Sequence, residues 1–390
     1  MMKKLITNLG KFIILRLIYP RQYRKYCGLP LQRRKVIFLE VRGKTLGNSM
    51  REVYRRISED PSYDVRCHFL MEGTGPRREN VKNTKAFLKD MATAEYVFLS
   101  EANNAFACFE KRPETTVIQL WHGCGAFKRF GLSTADLKFG SSRAQQQKYP
   151  LYRNLDLVSV SSPEVIWAYK EAMGVDDGII KATGISRTDV FFDSGFVTAA
   201  VRKVHKAVPA AYGRKVILYA PTFRGDVTHA KAPDRLDIRY MMDRLGDRYV
   251  LLIKHHPFIK ERPGIPAECS SFAYDITEKL EIDDLLCAAD ICISDYSSLV
   301  FEYALFRRPM IFFAYDLELY NDWRGFYYDY EELTPGPVVD TTERVAECIE
   351  KCEEGFDSAA VEQFADRFMS SCDGHATDRI LAYAGIETDG

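Results

Sequence analysis

From residue 35 onward, short runs of apolar residues alternate with longer stretches in which apolar positions recur every three or four residues. The runs at 36–41, 65–70, 96–99, 116–120 and 157–160 read as buried strands, and periodic stretches such as 49–58 and 84–93 predict helices between them. A second series of runs, at 216–219, 249–254, 271–274, 291–294 and 310–313, repeats the pattern. Strands that alternate with helices predict parallel sheets joined by crossover helices. Two such series predict an α/β chain of two Rossmann-like domains facing a cleft. The break is expected near 193–212, a helical connector running into Gly213. The reading assigns 35–195 to the first domain and 196–365 to the second. The last stretch, 358–384, reads as helical, and the terminal segment 366–390 is expected to pack back across both domains. Ligands of open α/β sheets lie at the carboxyl ends of the strands, so chemistry is expected where two such ends meet.

The first 34 residues follow a different pattern. Leu5, Ile6, Leu9, Phe12, Ile13, Leu15, Leu17 and Ile18 are interleaved with basic residues, and Lys11 and Arg16 break the stretch too often for a membrane span. No small-residue cleavage site follows, so a signal peptide is not expected. No acid precedes Glu40, while Lys3, Lys4, Lys11, Arg16, Arg21, Arg24, Lys25, Arg33, Arg34 and Lys35 all do. That charge pattern predicts a basic amphipathic arm, residues 1–34, lying on an anionic membrane surface. The competing reading is a helix docked on its own domain.

Composition narrows the class. A chain of 390 residues with 46% hydrophobic residues can build the cores of two domains. Its 54 basic and 54 acidic residues cancel, so no overall field points to nucleic acid, and none is expected as a partner. The ten cysteines are scattered, without a CxxC pair, which predicts buried reduced thiols of a cytosolic protein rather than a disulfide framework or a zinc site.

The most informative stretch is 291–309, ICISDYSSLVFEYALFRRP. An apolar strand turns through Asp295, Ser297 and Ser298 into an apolar-periodic helix. A helix N-terminus offers unpaired amides and a positive dipole end, which suit a phosphate. Glu302, one turn in, stands within reach of a ribose diol; equally, the serines read as an N-cap and Glu302 as a first-turn acid. Other strand ends carry Trp121-His122-Gly123, with Gly125 and Lys128 beyond; Thr222-Phe223-Arg224; and Lys254-His255-His256-Pro257. His122 suits a general base or a structural role bonded to a loop carbonyl. Adjacent His255 and His256 on extended chain point to opposite sides, so one is expected in the cleft, and they are not spaced as a metal pair. The turn 184–189 carries Arg187 and Asp189, compatible with a phosphate contact or with a structural ion pair. There is no Gly-x-Gly-x-x-Gly and no Gly-x-Ser-x-Gly, and Phe38 stands where a P-loop ending at Gly43-Lys44-Thr45 would need its first glycine.

Taken together, WHG, YAPTFR, KHHP, ISDYSSLVFEYALFRRPMIFFAYDLELY, RGFYYDY, PGPVV and the closing DGHATDRI resemble, in order, the CDP-glycerol glycerophosphotransferases, the primases and polymerases of teichoic acids. The resemblance runs over about 35–385. It implies a glycosyltransferase-B-like fold and transfer of glycerol phosphate from a CDP-glycerol donor to a lipid-linked or polymer acceptor, releasing CMP at the inner face of the cell membrane. It implies no tightly bound cofactor and no metal ligand set, with magnesium dependence left open. His122 would be the catalytic base and His256 the stabiliser of the transferring phosphate or the leaving CMP. Ser297 and Ser298 would hold the pyrophosphate, Asp295 would shape their turn, and Glu302 would contact the ribose. Thr222, Arg224 and Arg187 would be further phosphate ligands. The sequence departs from the family at Cys124-Gly125, where Thr-Pro is usual, and at Ser186, where Pro is usual. Both departures lie towards the acceptor side or the domain junction, which leaves CDP-ribitol transfer and nucleotide-sugar glycosyl transfer as alternative readings. A non-catalytic nucleotide-binding scaffold is the reading from another class.

Overall fold

The computed structural model describes residues 9–387 apart from 136, 139, 141 and 226–228; Lys3, Lys4, Leu5 and Ile6 lie outside the described residues. Two parallel six-stranded sheets form the chain. The first contains β1 (Gln32–Glu40), β2 (Asp64–Phe69), β3 (Ala94–Leu99), β4 (Thr116–Gln119), β5 (Leu157–Ser159) and β6 (Ile180–Lys181), in the order β2-β1-β3-β4-β5-β6. The second contains β7 (Lys215–Tyr219), β8 (Tyr249–Ile253), β9 (Ala273–Asp275), β10 (Ile291–Ser294), β11 (Met310–Phe313) and β12 (Val338–Val339), in the order β12-β11-β10-β7-β8-β9. Helices cover both faces, so the central strands are buried on both sides; every residue of β8, β10 and β11 is buried. This is the predicted α/β class. The run expected at 271–274 pairs as β9 two residues later, because Phe272 is already buried before the ladder begins.

Strand order locates the crevices. The second sheet reverses direction between β7 and β10, the first between β1 and β3. In such sheets the loops leaving the strands at the reversal diverge and open a ligand crevice. The loops after β7, β8 and β10 carry Thr222 and Arg224, His256, and Asp295 to Ser298. One apolar cluster joins the two halves, with Cys124, Phe127 and Val158 from the first and Leu218, Phe301 and Tyr330 from the second. Helix Ala359–Phe368 stacks Phe364 on Phe301 at 5.0 Å. Helix Ala376–Ala384 then returns to the first half, where Ile380 and Leu381 join Val36, Phe38 and Met50.

From residue 9 onward the N-terminal segment is docked on the first half. A helix runs from residue 9, widens to a π-turn over Ile14–Ile18 and continues as Tyr19–Cys27. Leu15, Tyr19 and Tyr23 recur every four residues and are buried among Phe87, Leu88 and Phe109. Tyr23 stacks on Phe109 at 4.1 Å, and its hydroxyl accepts the Arg112 N–H at 3.0 Å. The opposite stripe, Leu9, Phe12, Ile13 and Leu17, is exposed. Among the described residues no helix is long and apolar enough to cross a membrane.

Candidate functional site

In the second half, the loops after β7 and β10 are knotted together by Asp295. This carboxylate is 2% exposed. Its Oδ1 accepts the amides of Thr222 at 2.8 Å and Tyr296 at 2.6 Å, and its Oδ2 pairs with Arg224 Nη1 at 2.9 Å. Arg224 is held further by Asp316, through Nε at 2.5 Å and Nη2 at 2.9 Å, and stands over the rings of Tyr296, Tyr320 and Tyr315. The guanidinium expected to meet phosphate is therefore engaged by two carboxylates, which ties it to the turn. Asp295 likewise faces inward. The turn it shapes presents Ser297 and Ser298, both half-buried, ahead of helix Leu299–Ala304. Ser297 Oγ accepts the Leu299 amide at 3.4 Å, while Ser298 caps no amide of its helix. Thr222 Oγ1 is buried with no hydrogen-bond partner among the described residues.

Across the cleft, β4 ends at Gln119 and the chain turns sharply. Trp121 adopts φ +63°, a strained left-handed conformation for a bulky residue. Packing holds it there: its ring lies 5.1 Å from Phe130, 5.9 Å from Tyr169 and 4.7 Å from His122. The turn exposes His122 in the cleft. Its Nδ1 lies 3.3 Å from the Ser100 carbonyl, which can only accept, so Nδ1 carries the proton and Nε2 keeps its lone pair. Crowding by protein atoms lowers the imidazole pKa below its usual value, and the nearby Arg187 and Arg42 push the same way. At neutral pH His122 is a free base. A methyl group placed on the neighbouring Gly123 would lie 3.6 Å from Ser298 Oγ, so the two loops face each other at close range.

His256 is arranged oppositely. Its Nδ1 accepts the Phe258 amide at 3.2 Å, which leaves the proton on Nε2. The ring packs against Phe258 at 4.5 Å and Phe223 at 4.8 Å. Burial, aided by the charge of Lys128, lowers its pKa to about 4. It is a neutral hydrogen-bond donor. His255 turns the other way and is buried, with its amide bonded to Thr277 Oγ1 at 3.0 Å.

The two halves are clamped under His122. Arg187 Nη2 meets Asp283 Oδ1 at 2.5 Å, while Nη1 lies 3.4 Å from Glu302 Oε1 and 3.4 Å from the His122 carbonyl oxygen. Asn48 donates to the other oxygen of Asp283. Glu302 is 2% exposed; its burial raises the carboxyl pKa, and Arg187 opposes that rise. Arg187 and Glu302, expected at phosphate and ribose, thus form an ion pair that fixes the His122 loop against the Ser298 helix. Asp189 is also structural: its oxygens accept the amides of Ala376 at 3.0 Å and Thr377 at 2.7 Å, closing the start of the last helix. Ser186 bonds Thr377 Oγ1 at 2.9 Å there, away from the cleft.

Gly125 explains one departure from the resemblance. It has φ +63°, and a Cβ would lie 2.3 Å from the Phe301 ring, so neither proline nor any other side chain fits this path. Sequence reasoning did not single out Asp283 and Asp316, the carboxylates that hold Arg187 and Arg224. Asp316 was visible in the YD of the longest motif; Asp283 had no local signal.

Comparisons with known proteins place the chain in a family and a fold. The family model for CDP-glycerol:poly(glycerophosphate) glycerophosphotransferase matches residues 21–384. A teichoic acid ribitol-phosphate primase of Bacillus spizizenii is 33% identical over 91% of this chain and 92% of its own length. A teichoic acid poly(ribitol-phosphate) polymerase of the same organism is 33% identical over 90% of this chain, which spans only 56% of that relative. A teichoic acid poly(glycerol phosphate) polymerase of Bacillus subtilis is 28% identical over 97% of this chain and 53% of its own length. The solved wall teichoic acid polymerase TagF shares the fold, with a TM-score of 0.78 at 23% identity, covering 98% of this chain and 96% of that one.

Proposed function

Because the chain belongs to the CDP-glycerol:poly(glycerophosphate) glycerophosphotransferase family, we propose that it transfers glycerol phosphate from CDP-glycerol to an acceptor hydroxyl and releases CMP. The observation that carries the reading is the pair of neutral imidazoles with opposite tautomers on the cleft: His122 offers a lone pair on Nε2, and His256 offers a proton on Nε2. The acceptor oxygen attacks the phosphorus next to glycerol and forms the new P–O bond. Its proton passes to His122 Nε2. The opposite P–O bond breaks, and the CMP phosphate leaves on the hydrogen bond from His256. Such phosphoryl chemistry depends on positioning and charge stabilisation. Ser298, aided by Ser297, holds the donor phosphates, and the Thr222 backbone, tied to Asp295, fixes the facing loop. Asp295, Arg224, Arg187 and Glu302 act by fixing these loops.

A second reading, CDP-ribitol as donor, is favoured by one observation: the ribitol-phosphate primase matches almost end to end at 33% identity. The acceptor is a lipid-linked or polymer hydroxyl. The enzyme works at the inner face of the cell membrane, where the exposed stripe of Leu9, Phe12, Ile13 and Leu17, with Lys11, Arg16, Arg21 and Arg24 on the same helix, would rest on anionic lipid. Incubation with CDP-glycerol, CDP-ribitol and a panel of nucleotide sugars, beside a lipid-linked acceptor, tests the reading. CMP and a new phosphodiester are expected from a CDP-polyol; a nucleoside diphosphate and a glycoside would overturn it.

A further inference from the structure

Lys128 is carried by the first half yet stitched to the second. It forms an antiparallel bridge with Phe326. The bridge is extended by Arg129 N–H donating to the Gly325 oxygen at 3.0 Å and Tyr327 N–H donating to the Phe127 oxygen at 3.1 Å. Phe127 fills an aromatic cluster, 5.8 Å from Phe301, 5.8 Å from Phe326 and 5.6 Å from Tyr330. On extended chain the next side chain points the opposite way, which turns Lys128 out of that cluster. The groups whose charges act on it are Arg324, Asp295 and Arg224, and it in turn acts on His256. These are residues from the ends and loops of four separate elements of the second half, three of them bordering the donor crevice.

Among the described residues no carboxylate stands within ion-pair distance of Lys128. Asp295, the one acid whose charge favours it, is already paired with Arg224 at 2.9 Å. A half-buried ammonium that feels the charges of two guanidinium groups and has no carboxylate of its own among the described residues costs free energy unless an anion completes it. We propose that Lys128 is a phosphate-contacting residue, reaching from the first half to the phosphate that is transferred, so that donor binding draws on both halves. The inference rests on the CDP-polyol reading above.

The electrostatics support the geometry. Burial and the two arginines lower the Lys128 pKa to about 7, against the pull of Asp295. A diphosphate placed on the ammonium favours its charged form and raises that pKa. Binding above pH 7 must then take up a proton. The surrounding groups do not mimic this: His256 stays neutral down to about 4, crowding by protein atoms holds His122 below its usual range, and Arg224 and Arg324 stay charged. A CDP-polyol carries no phosphomonoester, unlike CMP, whose second phosphate proton titrates at about 6 and would confuse the reading.

The test is calorimetric titration of the full chain with CDP-glycerol and with CDP-ribitol at pH 8, in two buffers of different ionisation enthalpy. The wild-type protein is expected to take up a substantial fraction of a proton on binding. Lys128→Arg, always charged, is expected to bind within a few-fold of wild type with the uptake abolished. Lys128→Met is expected to lose about 10- to 100-fold in affinity, the range for a hydrogen bond to a charged group, with no fall in melting temperature. Lys128→Met that binds as tightly as wild type, or a wild-type protein that binds without proton uptake, overturns the Lys128 assignment and leaves the CDP-polyol reading standing. Failure of the wild type to bind either CDP-polyol removes that reading and this one with it.

Discussion

His122 and His256 hold their single protons on opposite ring nitrogens: His122 gives Nδ1–H to the Ser100 carbonyl at 3.3 Å, and His256 receives the Phe258 amide on Nδ1 at 3.2 Å. Each backbone partner therefore sets what the free nitrogen can do. One Nε2 accepts a proton and the other donates one, which is the division of labour an in-line transfer requires.

His122→Ala should lower kcat by about 10²–10⁴-fold, the usual worth of a general base. Affinity for CDP-glycerol should hold, since the base acts on the acceptor. Steady-state rates beside calorimetric titration check this; near-wild-type turnover in a folded variant contradicts the role.

Ser298→Ala should act on the donor instead. Loss of one hydrogen bond to a charged phosphate should weaken binding by about 10- to 100-fold. Titration with CDP-glycerol reads it, and unchanged affinity would return Ser298 to a purely structural turn.

Arg187→Met separates a clamp from a phosphate ligand. Asp283 and Glu302 would be left buried without their cation, a change that costs about 3–5 kcal/mol. The melting temperature should fall sharply and the rate should fall with it as the His122 loop loosens. A variant with wild-type stability and weakened donor binding would restore the ligand role.

Acid should destabilise the fold partly through His256. Its pKa is about 4 in the folded protein against 6.5 in the unfolded chain. Below pH 6.5 the unfolded state binds the extra proton, so this contribution is intact above 6.5 and is lost as pH falls towards 4. Melting curves of wild type and His256→Asn across that window should converge on the acid side; parallel curves contradict it.

The N-terminal helix makes two separable demands. Tyr23→Ala should cost about 3 kcal/mol, as for other large core residues. Replacing Leu9, Phe12, Ile13 and Leu17 with serine should leave the melting temperature unchanged while reducing co-sedimentation with anionic vesicles at low salt. If that variant sediments like wild type, the exposed stripe has no part in membrane binding.

What could be read in advance follows from range. Strands such as β8 and β10 are buried on both faces, so they appear as unbroken apolar runs. The two-residue strands β6 and β12 are too short to show any period. The placement of His122, His256 and Ser298 on loops at strand ends was legible because the strands themselves were. The ion pairs of Arg187 and Arg224 were not legible, because their carboxylate partners stand 96 and 92 positions away. Burial of Glu302 was equally invisible: its place one turn into a helix fits a ribose contact and an inward ion pair alike. The docked face of the N-terminal helix was present as Leu15, Tyr19 and Tyr23, but the absence of acids drew attention to the other face.

The most direct test is to follow which nucleotide leaves. The full chain, supplied with a lipid-linked acceptor and with CDP-glycerol or CDP-ribitol, should release CMP in step with a new phosphodiester, and His122→Ala should bind the same donor while releasing almost none. Release of a nucleoside diphosphate with a glycoside from a nucleotide sugar, or CMP release undiminished in His122→Ala, would contradict the account.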